Sequence, residues 1–205
     1  MVWFILETGA RRGALVGLAI GDLLWSARRV RLHEKKNKVD EQPISEALLA
    51  ALLAMAVTRG DVIAKNPEGL APGEITLEDV RRRRVTLRAD RPVLYYRTPR
   101  RARATDGTVS ASPHPLTPRR FNSLWDRLKR ELAWLEEIHG RPHDLRKTVG
   151  TLVERELGYS VAQAVLRHAP GNVTGTYVTA GSEEKVRAHA WLTGASDAPR
   201  ESLEW

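Results

Sequence analysis

The sequence predicts a mainly α-helical fold with a small antiparallel β-sheet, an α+β domain. Three observations support this class. Apolar residues recur at helical spacing along most of the chain, a segment near residue 31 alternates apolar and charged residues as a hairpin strand does, and apolar residues make up 42% of the 205 residues, enough for a core. The length fits one domain, or one domain with a sizeable insertion.

The chain opens with a predicted helix, a break and a second helix. Residues 1–7 are largely apolar, and we expect them to form the end of a core helix. Thr8-Gly9 interrupts it, a second helix can run over 11–18, and residues 20–22 are a turn candidate. Because the first element begins at the first residue, we expect the domain to be truncated at its start.

A β-hairpin is predicted next. Val30 and Leu32 alternate with charged neighbours, residues 35–38 suit a tight turn, and residues 39–44 suit the returning strand. This segment supplies the predicted sheet.

Ser45 then suits the N-cap of a helix over 46–58, whose apolar character nearly all round predicts that it is well buried. Residues 59–92 are rich in glycine, proline and arginine, and they predict a loop-rich insertion. Within it we expect a helix near 77–83 and a strand near 84–88.

The middle of the chain combines a strand, a basic segment and a long helix. Residues 93–96 predict the strand, and residues 97–115 are basic and rich in Ser, Thr and Pro, typical of a mobile segment. From Pro118 a helix is expected to reach about Ile138. Its apolar face contains Phe121, Leu124, Leu128, Leu132 and Leu135.

The remaining chain predicts short helices with tight connections. One helix covers 143–156 and ends at Gly158, and Ser160 suits the N-cap of the next, which reaches Arg167. A turn at 169–172 precedes a short helix over 174–177. The final helix starts at 182 and runs to about 193, and residues 195–205 are expected to be a loose tail.

The charge balance favours a polyanionic partner. The net charge is +8 and the isoelectric point is about 10.2, as expected of a protein that binds nucleic acid or of a surface kept basic for solubility. The run Arg81–Arg84 allows the same two interpretations, DNA contact or a solvated face. The absence of cysteine excludes disulfides, thiolate catalysis and Cys-based zinc sites, and no stretch is apolar and long enough to span a bilayer.

Several residues are suited to cleaving a phosphodiester bond. Such a reaction needs a nucleophile, cations on the non-bridging oxygens and a proton for the departing oxygen. His143 and Arg146 share one helix face, and His168 and Tyr177 lie nine residues apart across a turn. The two remaining candidates are Arg11, after the Thr8-Gly9 break, and Lys35, at the predicted hairpin tip.

These residues occur in an order and spacing that resemble the catalytic domain of the tyrosine recombinase family, the phage-type integrases. The resemblance covers about residues 1–193. Its four motifs are Thr8-Gly9-Ala10-Arg11, the Lys35-Lys36-Asn37-Lys38 hairpin, His143-Asp144-Leu145-Arg146, and Leu166-Arg167-His168 followed by Thr174 and Tyr177.

The resemblance implies a role for each candidate. Tyr177 attacks the scissile phosphate and forms a 3′-phosphotyrosyl bond, which conserves the bond energy, so that no cofactor or metal is needed for rejoining. Arg11 and Arg146 neutralise the phosphate oxygens, and Lys35 protonates the leaving 5′ oxygen. His143 assists proton transfer at the nucleophile, and His168 donates a hydrogen bond to the phosphate.

Four departures from the family pattern stand out. Ala14 occupies a position where the family usually has an acid that holds the first arginine, so a less rigid Arg11 is expected. Lys36 replaces a common glycine and leaves the catalytic lysine ambiguous between Lys35 and Lys36. Lys147 stands where histidine is frequent, and the 108-residue separation of Lys35 and His143 is longer than usual for the family.

Each candidate also has a purely structural interpretation. Tyr177 can be a buried tyrosine, Lys35 a charged hairpin tip, and Arg11 a surface ion-pair partner of Glu7 or Asp22. His143 and Arg146 can bond to local carboxylates. His168 can be a helix-end histidine favoured by the helix dipole.

As a whole, the resemblance implies a recombinase catalytic domain over 1–194. Its partner is double-stranded DNA, on which it assembles as a homotetramer, and neither a membrane nor a small-molecule substrate is expected. It implies a cytoplasmic, bacterial or phage-encoded protein near the nucleoid. Two alternatives stay open: an inactive DNA-binding fragment of an integrase, and a type IB topoisomerase-like enzyme.

Overall fold

A computed structural model describes residues 1–34, 38–64, 74–97, 113–168 and 180–194. These residues form a mostly helical domain with a small antiparallel sheet, as the sequence predicts. In this part of the chain, no helix has the length and apolar character required to cross a membrane.

The N-terminal helix–break–helix is confirmed. Helix α1 spans Val2–Thr8 and ends at Gly9, whose φ of 58° is a left-handed conformation that glycine adopts without strain. Helix α2, Arg12–Val16, is shorter than the predicted 11–18 because it ends at Gly17. The predicted turn is a 3-10 helix, Ile20–Asp22.

The predicted hairpin forms two strands of a three-stranded antiparallel sheet. Strand β2, Arg29–His33, pairs with β3, Val39–Pro43, and β1, Leu23–Leu24, adds a third strand that the sequence did not predict. Val30 and Leu32 are fully buried on one face, as their alternation predicts. The hairpin tip, 35–37, lies outside the described residues.

Helix α3 spans Glu46–Thr58 as predicted, and the Ser45 Oγ accepts a hydrogen bond of 3.0 Å from the Leu48 amide at its N-cap. As predicted, the helix is well buried along the side that faces the core. Leu49 is fully buried, but Met55 on another face is 41% exposed, because the core covers only one side of the helix.

The segment predicted as a loop-rich insertion contains a two-stranded sheet and a short helix. Helix α4, Leu77–Arg81, and strand β5, Val85–Leu87, lie where the sequence predicts them. Strand β4, Val62–Ala64, was not predicted and pairs antiparallel with β5. Residues 65–73 lie outside the described part.

Three arginines of the Arg81–Arg84 run form ion pairs within the chain, which favours the solvated-face interpretation over DNA contact. These pairs are Arg81 with Glu46 at 2.5 Å, Arg82 with Glu78 at 2.6 Å and Arg84 with Asp79 at 2.8 Å.

Strand β6, Tyr95–Arg97, pairs antiparallel with β7, Pro113–Pro115, which was not predicted. The predicted strand at 93–96 is therefore shifted towards the C-terminus. Most of the segment predicted to be mobile, 98–112, lies outside the described residues.

The single helix predicted from Pro118 to Ile138 is wrong. The structure has α5, Pro118–Glu131, and α6, Ala133–Glu137, separated by Leu132 in an extended conformation. The break lets the chain fold back on α5. As a result Leu135 is buried, and the Trp125 indole donates a hydrogen bond of 2.9 Å to the Gly140 carbonyl.

The last helices are α7, Pro142–Leu157, α8, Tyr159–Leu166, and α9, Ser182–Thr193. Gly158 ends α7 with a φ of 92°, as predicted, and it is also the N-cap of α8. The prediction of Ser160 as N-cap is therefore wrong. The predicted turn and short helix over 169–177 and the predicted tail over 195–205 lie outside the described residues.

Two groups of buried apolar side chains form the core. The larger group joins α1–α5 and the three-stranded sheet, and the smaller group joins α7, α8 and α9. The C-terminal end of α1 contacts α7 and α8 between the two groups, where the buried polar residues described next are found.

Candidate active site

A cationic cleft lies between the start of α2 and the start of α7. Its volume is about 440 Å³, within the range of ligand-binding clefts. Its lining includes four arginines and a histidine, Arg11, Arg12, Arg141, Arg146 and His143. No aspartate or glutamate is among the described residues that line it. Such a lining attracts an anion with several acceptor oxygens, of which a phosphate is the simplest.

Arg146 forms the floor of this cleft. It is 2% exposed, and its two terminal nitrogens donate to the carbonyls of Gly9, after α1, and Leu166, at the end of α8. Burial, together with the charges of Arg167 and Arg11, lowers the pKa of Arg146 to about 9. The guanidinium is still charged at neutral pH.

Arg167 is the second buried guanidinium, and the sequence assigned it no function. Its backbone is left-handed, with φ 55°, and its side chain is 1% exposed. Nη1 donates to the carbonyls of Thr8 at 2.9 Å and Val165 at 3.0 Å, and Nη2 donates to Gly9 at 2.9 Å. No periodicity or composition marks such a residue, because most of its partners are backbone carbonyls from two helix ends.

Glu34 connects Arg167 to Arg11. Its Oε1 accepts from the Arg167 Nε at 2.8 Å, and its Oε2 accepts from the Arg11 Nη1. Burial by itself would raise the pKa of Glu34, but the hydrogen bonds and charges of the two arginines outweigh burial and lower it. Position 14, where the family usually has an acid, is alanine, and Arg11 instead contacts the carboxylate of Glu34.

The two histidines lie near these cations. His168 follows the end of α8. Partial burial, followed by the charges of Arg146, Arg11, Arg167 and His143, lowers the pKa of His168. His168 is therefore a neutral imidazole at pH 7, which can still donate one N–H hydrogen bond. His143 is exposed in the first turn of α7 and lines the cleft.

Four of the six candidate residues, Arg11, His143, Arg146 and His168, thus come together. Lys35 and Tyr177 lie outside the described residues, and their assignments stay predictions. The described neighbours of Lys35 bring the hairpin to the site, since Glu34 contacts Arg11 and its amide donates to the Lys38 carbonyl at 2.7 Å.

The structural alternatives for the two predicted arginines are wrong in detail. Arg11 pairs with Glu34 rather than with Glu7 or Asp22. The Glu7 carboxylate contacts His189 and Ser45, and Asp22 contacts His33. Arg146 binds carbonyls and not local carboxylates.

Comparison with known proteins identifies the same family that the motifs resemble. A model of the phage integrase family matches residues 1–184, which include every candidate site residue. Comparisons with curated proteins and with solved structures gave no match.

Proposed function

Since the chain belongs to the phage integrase family of tyrosine recombinases, we propose that it cleaves and rejoins DNA strands at a specific site through a 3′-phosphotyrosyl intermediate on Tyr177. The observation that supports this most is that Arg11 and Arg146 line one cationic cleft and that His168 lies close enough for their charges to lower its pKa. Three donors of this kind match the non-bridging oxygens of a phosphodiester and leave one side for an in-line nucleophile.

The proposed step is a transesterification. The Tyr177 oxygen attacks phosphorus, the bond from phosphorus to the 5′ oxygen breaks, and that oxygen takes a proton from Lys35. His143 accepts the tyrosine proton, while Arg11 and Arg146 stabilise the charge of the pentavalent transition state. Rejoining reverses these transfers, with a 5′ hydroxyl as the nucleophile.

Double-stranded DNA is the proposed partner, and a homotetramer on DNA is the proposed assembly. The net charge of +8 and the arginines at the cleft support binding to the phosphate backbone. An exposed Arg12 extends the cationic surface from the cleft towards α5, where it donates to Asn122 at 2.8 Å.

The experiment is covalent trapping on nicked duplexes with a randomised central segment. The nick lets the short product strand diffuse away, so that the protein stays attached to DNA and migrates slowly in a denaturing gel. We expect an adduct with the wild-type chain, and sequencing the trapped DNA identifies the preferred site. Tyr177→Phe removes the nucleophile and is expected to abolish the adduct.

Tyr159→Phe is the matched control, because Tyr159 is an exposed tyrosine on α8 whose hydroxyl contacts only Gln163 among the described residues. It should trap DNA like the wild type. An adduct that persists in Tyr177→Phe would refute the nucleophile. Salt-sensitive DNA binding without any adduct would favour the inactive fragment, and relaxation of supercoiled plasmid without site preference would favour the topoisomerase-like alternative.

A further inference from the structure

A carboxylate at the base of the hairpin lies between two arginines of the site. Glu34 directly follows β2, and its side chain is 6% exposed. Each of its two oxygens contacts a different guanidinium, Arg167 on one side and Arg11 on the other. A carboxylate engaged in this way has little freedom to turn towards solvent.

The two arginines differ in what they offer a ligand. Arg167 uses Nε, Nη1 and Nη2 on Glu34 and on the carbonyls of Thr8, Gly9 and Val165, and its side chain is 1% exposed. It is therefore an internal support. Arg11 is 38% exposed, lines the cleft and contacts Glu34 through one terminal nitrogen, so its remaining donors can face a phosphate.

The local charge balance makes this carboxylate important. Burial lowers the pKa of Arg146 and of Arg167, the charge of the nearby Arg11 lowers both further, and the charge of Glu34 acts in the opposite direction. Without it, Arg11 would be repelled by two buried cations and would turn towards water, away from the cleft.

We propose that Glu34 is a positioning residue that aims the Arg11 guanidinium at the scissile phosphate, with Arg167 as its fixed support. This inference rests on the proposed function of the site. Glu34 also precedes Lys35 in the chain, so the same carboxylate fixes the point at which the hairpin tip begins.

The first test is single-turnover cleavage of the preferred DNA site that the trapping experiment identifies. Glu34→Gln keeps the size of the side chain and removes its charge. We expect cleavage to fall by on the order of 10- to 100-fold, the cost of misplacing a group by about 1 Å, while DNA affinity stays within about threefold. Glu34→Asp keeps the charge and should recover part of the rate. Glu41→Gln, an exposed glutamate on β3 paired with Arg31, should cleave like the wild type.

A double-mutant cycle shows whether Glu34 acts through Arg11. If it does, Glu34→Gln should cause little further loss in an Arg11→Ala background. Independent, multiplicative losses would overturn the proposal, as would full activity of Glu34→Gln.

A second measurement needs no activity. In ¹⁵N side-chain NMR of the DNA-free chain, rotation of the Arg11 guanidinium should be slow in the wild type and in Glu34→Asp, and fast in Glu34→Gln. Equal rotation in the wild type and Glu34→Gln would refute the positioning role. A wild-type chain that forms no adduct would contradict the proposed function alone, and the NMR result would then decide the role of Glu34 by itself.

Discussion

At the scale of single residues, two buried guanidinium groups are stabilised mainly by carbonyls at helix ends. The last carbonyls of a helix have no partner within it and carry the negative end of the helix dipole. Arg146 and Arg167 donate to such carbonyls at the ends of α1 and α8. This arrangement holds two charges rigidly in a buried place without neutralising both with acids.

Arg146→Lys tests the value of this geometry. Lysine keeps the charge but offers one compact ammonium, which cannot reach both carbonyls and a phosphate. We expect single-turnover cleavage to fall by on the order of 100-fold, measured by adduct formation on the trapped site. The same exchange at exposed Arg155 of α7 should leave the rate unchanged. Equal rates for both variants would show that charge alone is sufficient at position 146.

At the scale of elements, the close approach of α7 and α8 sets the position of Leu166, whose carbonyl binds Arg146. Gly150 lies at this approach: a Cβ there would lie 2.5 Å from the Leu166 Cδ1, so the buried Leu166 side chain would have to shift. Gly13 of α2 is a useful contrast, since a Cβ at Gly13 meets no atom within 4 Å.

Gly150→Ala is therefore expected to destabilise the fold although alanine favours helices. Overpacking costs about 1–3 kcal/mol, which outweighs a helix-propensity gain of up to about 1 kcal/mol. Gly13→Ala has only the gain, and its free energy of unfolding should rise by up to about 1 kcal/mol. Urea denaturation compares the two. A Gly150→Ala variant as stable as Gly13→Ala would contradict the close packing.

At the scale of the whole molecule, buried ionic contacts join parts that are distant in sequence. Glu34 joins the sheet to the end of α8, Lys185 of α9 contacts Asp40 of β3 at 2.8 Å, and His189 of α9 contacts Glu7 of α1 at 3.2 Å. The fold therefore depends on carboxylates that must stay ionised.

Acid should destabilise the protein through these groups. Burial would raise the pKa of both Glu7 and Glu34. Hydrogen bonds to His189 and Ser45 outweigh burial at Glu7, and hydrogen bonds to Arg167 and Arg11 outweigh it at Glu34, so that both pKa values lie below the ordinary 4.5. Their stabilisation is complete above pH 4.5 and is lost as the pH falls through the lowered values. Thermal melts should show the melting temperature falling as the pH is lowered, and this fall should be shallower in Glu34→Gln. Glu41→Gln should follow the wild type, whereas parallel declines in wild type and Glu34→Gln would exclude the contribution of Glu34.

Local patterns in the sequence determined a large part of the fold. The alternation around Val30, the N-cap at Ser45 and the ends of helices at Gly9 and Gly158 depend on neighbouring residues only, and the structure agrees with each. Strands β1, β4 and β7 were missed, because two or three residues carry no period and form strands only through their partners. The break at Leu132 was missed for a similar reason, since it depends on where Leu135 and Trp125 find contacts.

By itself, the sequence determined the fold class, the family and the identity of the candidate residues, because order and spacing of motifs are properties of the chain. Only the tertiary structure decided which charges meet. Glu34 and Arg167 are 133 residues apart, and Arg146 and Gly9 are 137 apart, and no local pattern encodes such contacts. They arise where the ends of α1 and α8 meet the base of the hairpin, since buried carbonyls and charges must find partners there.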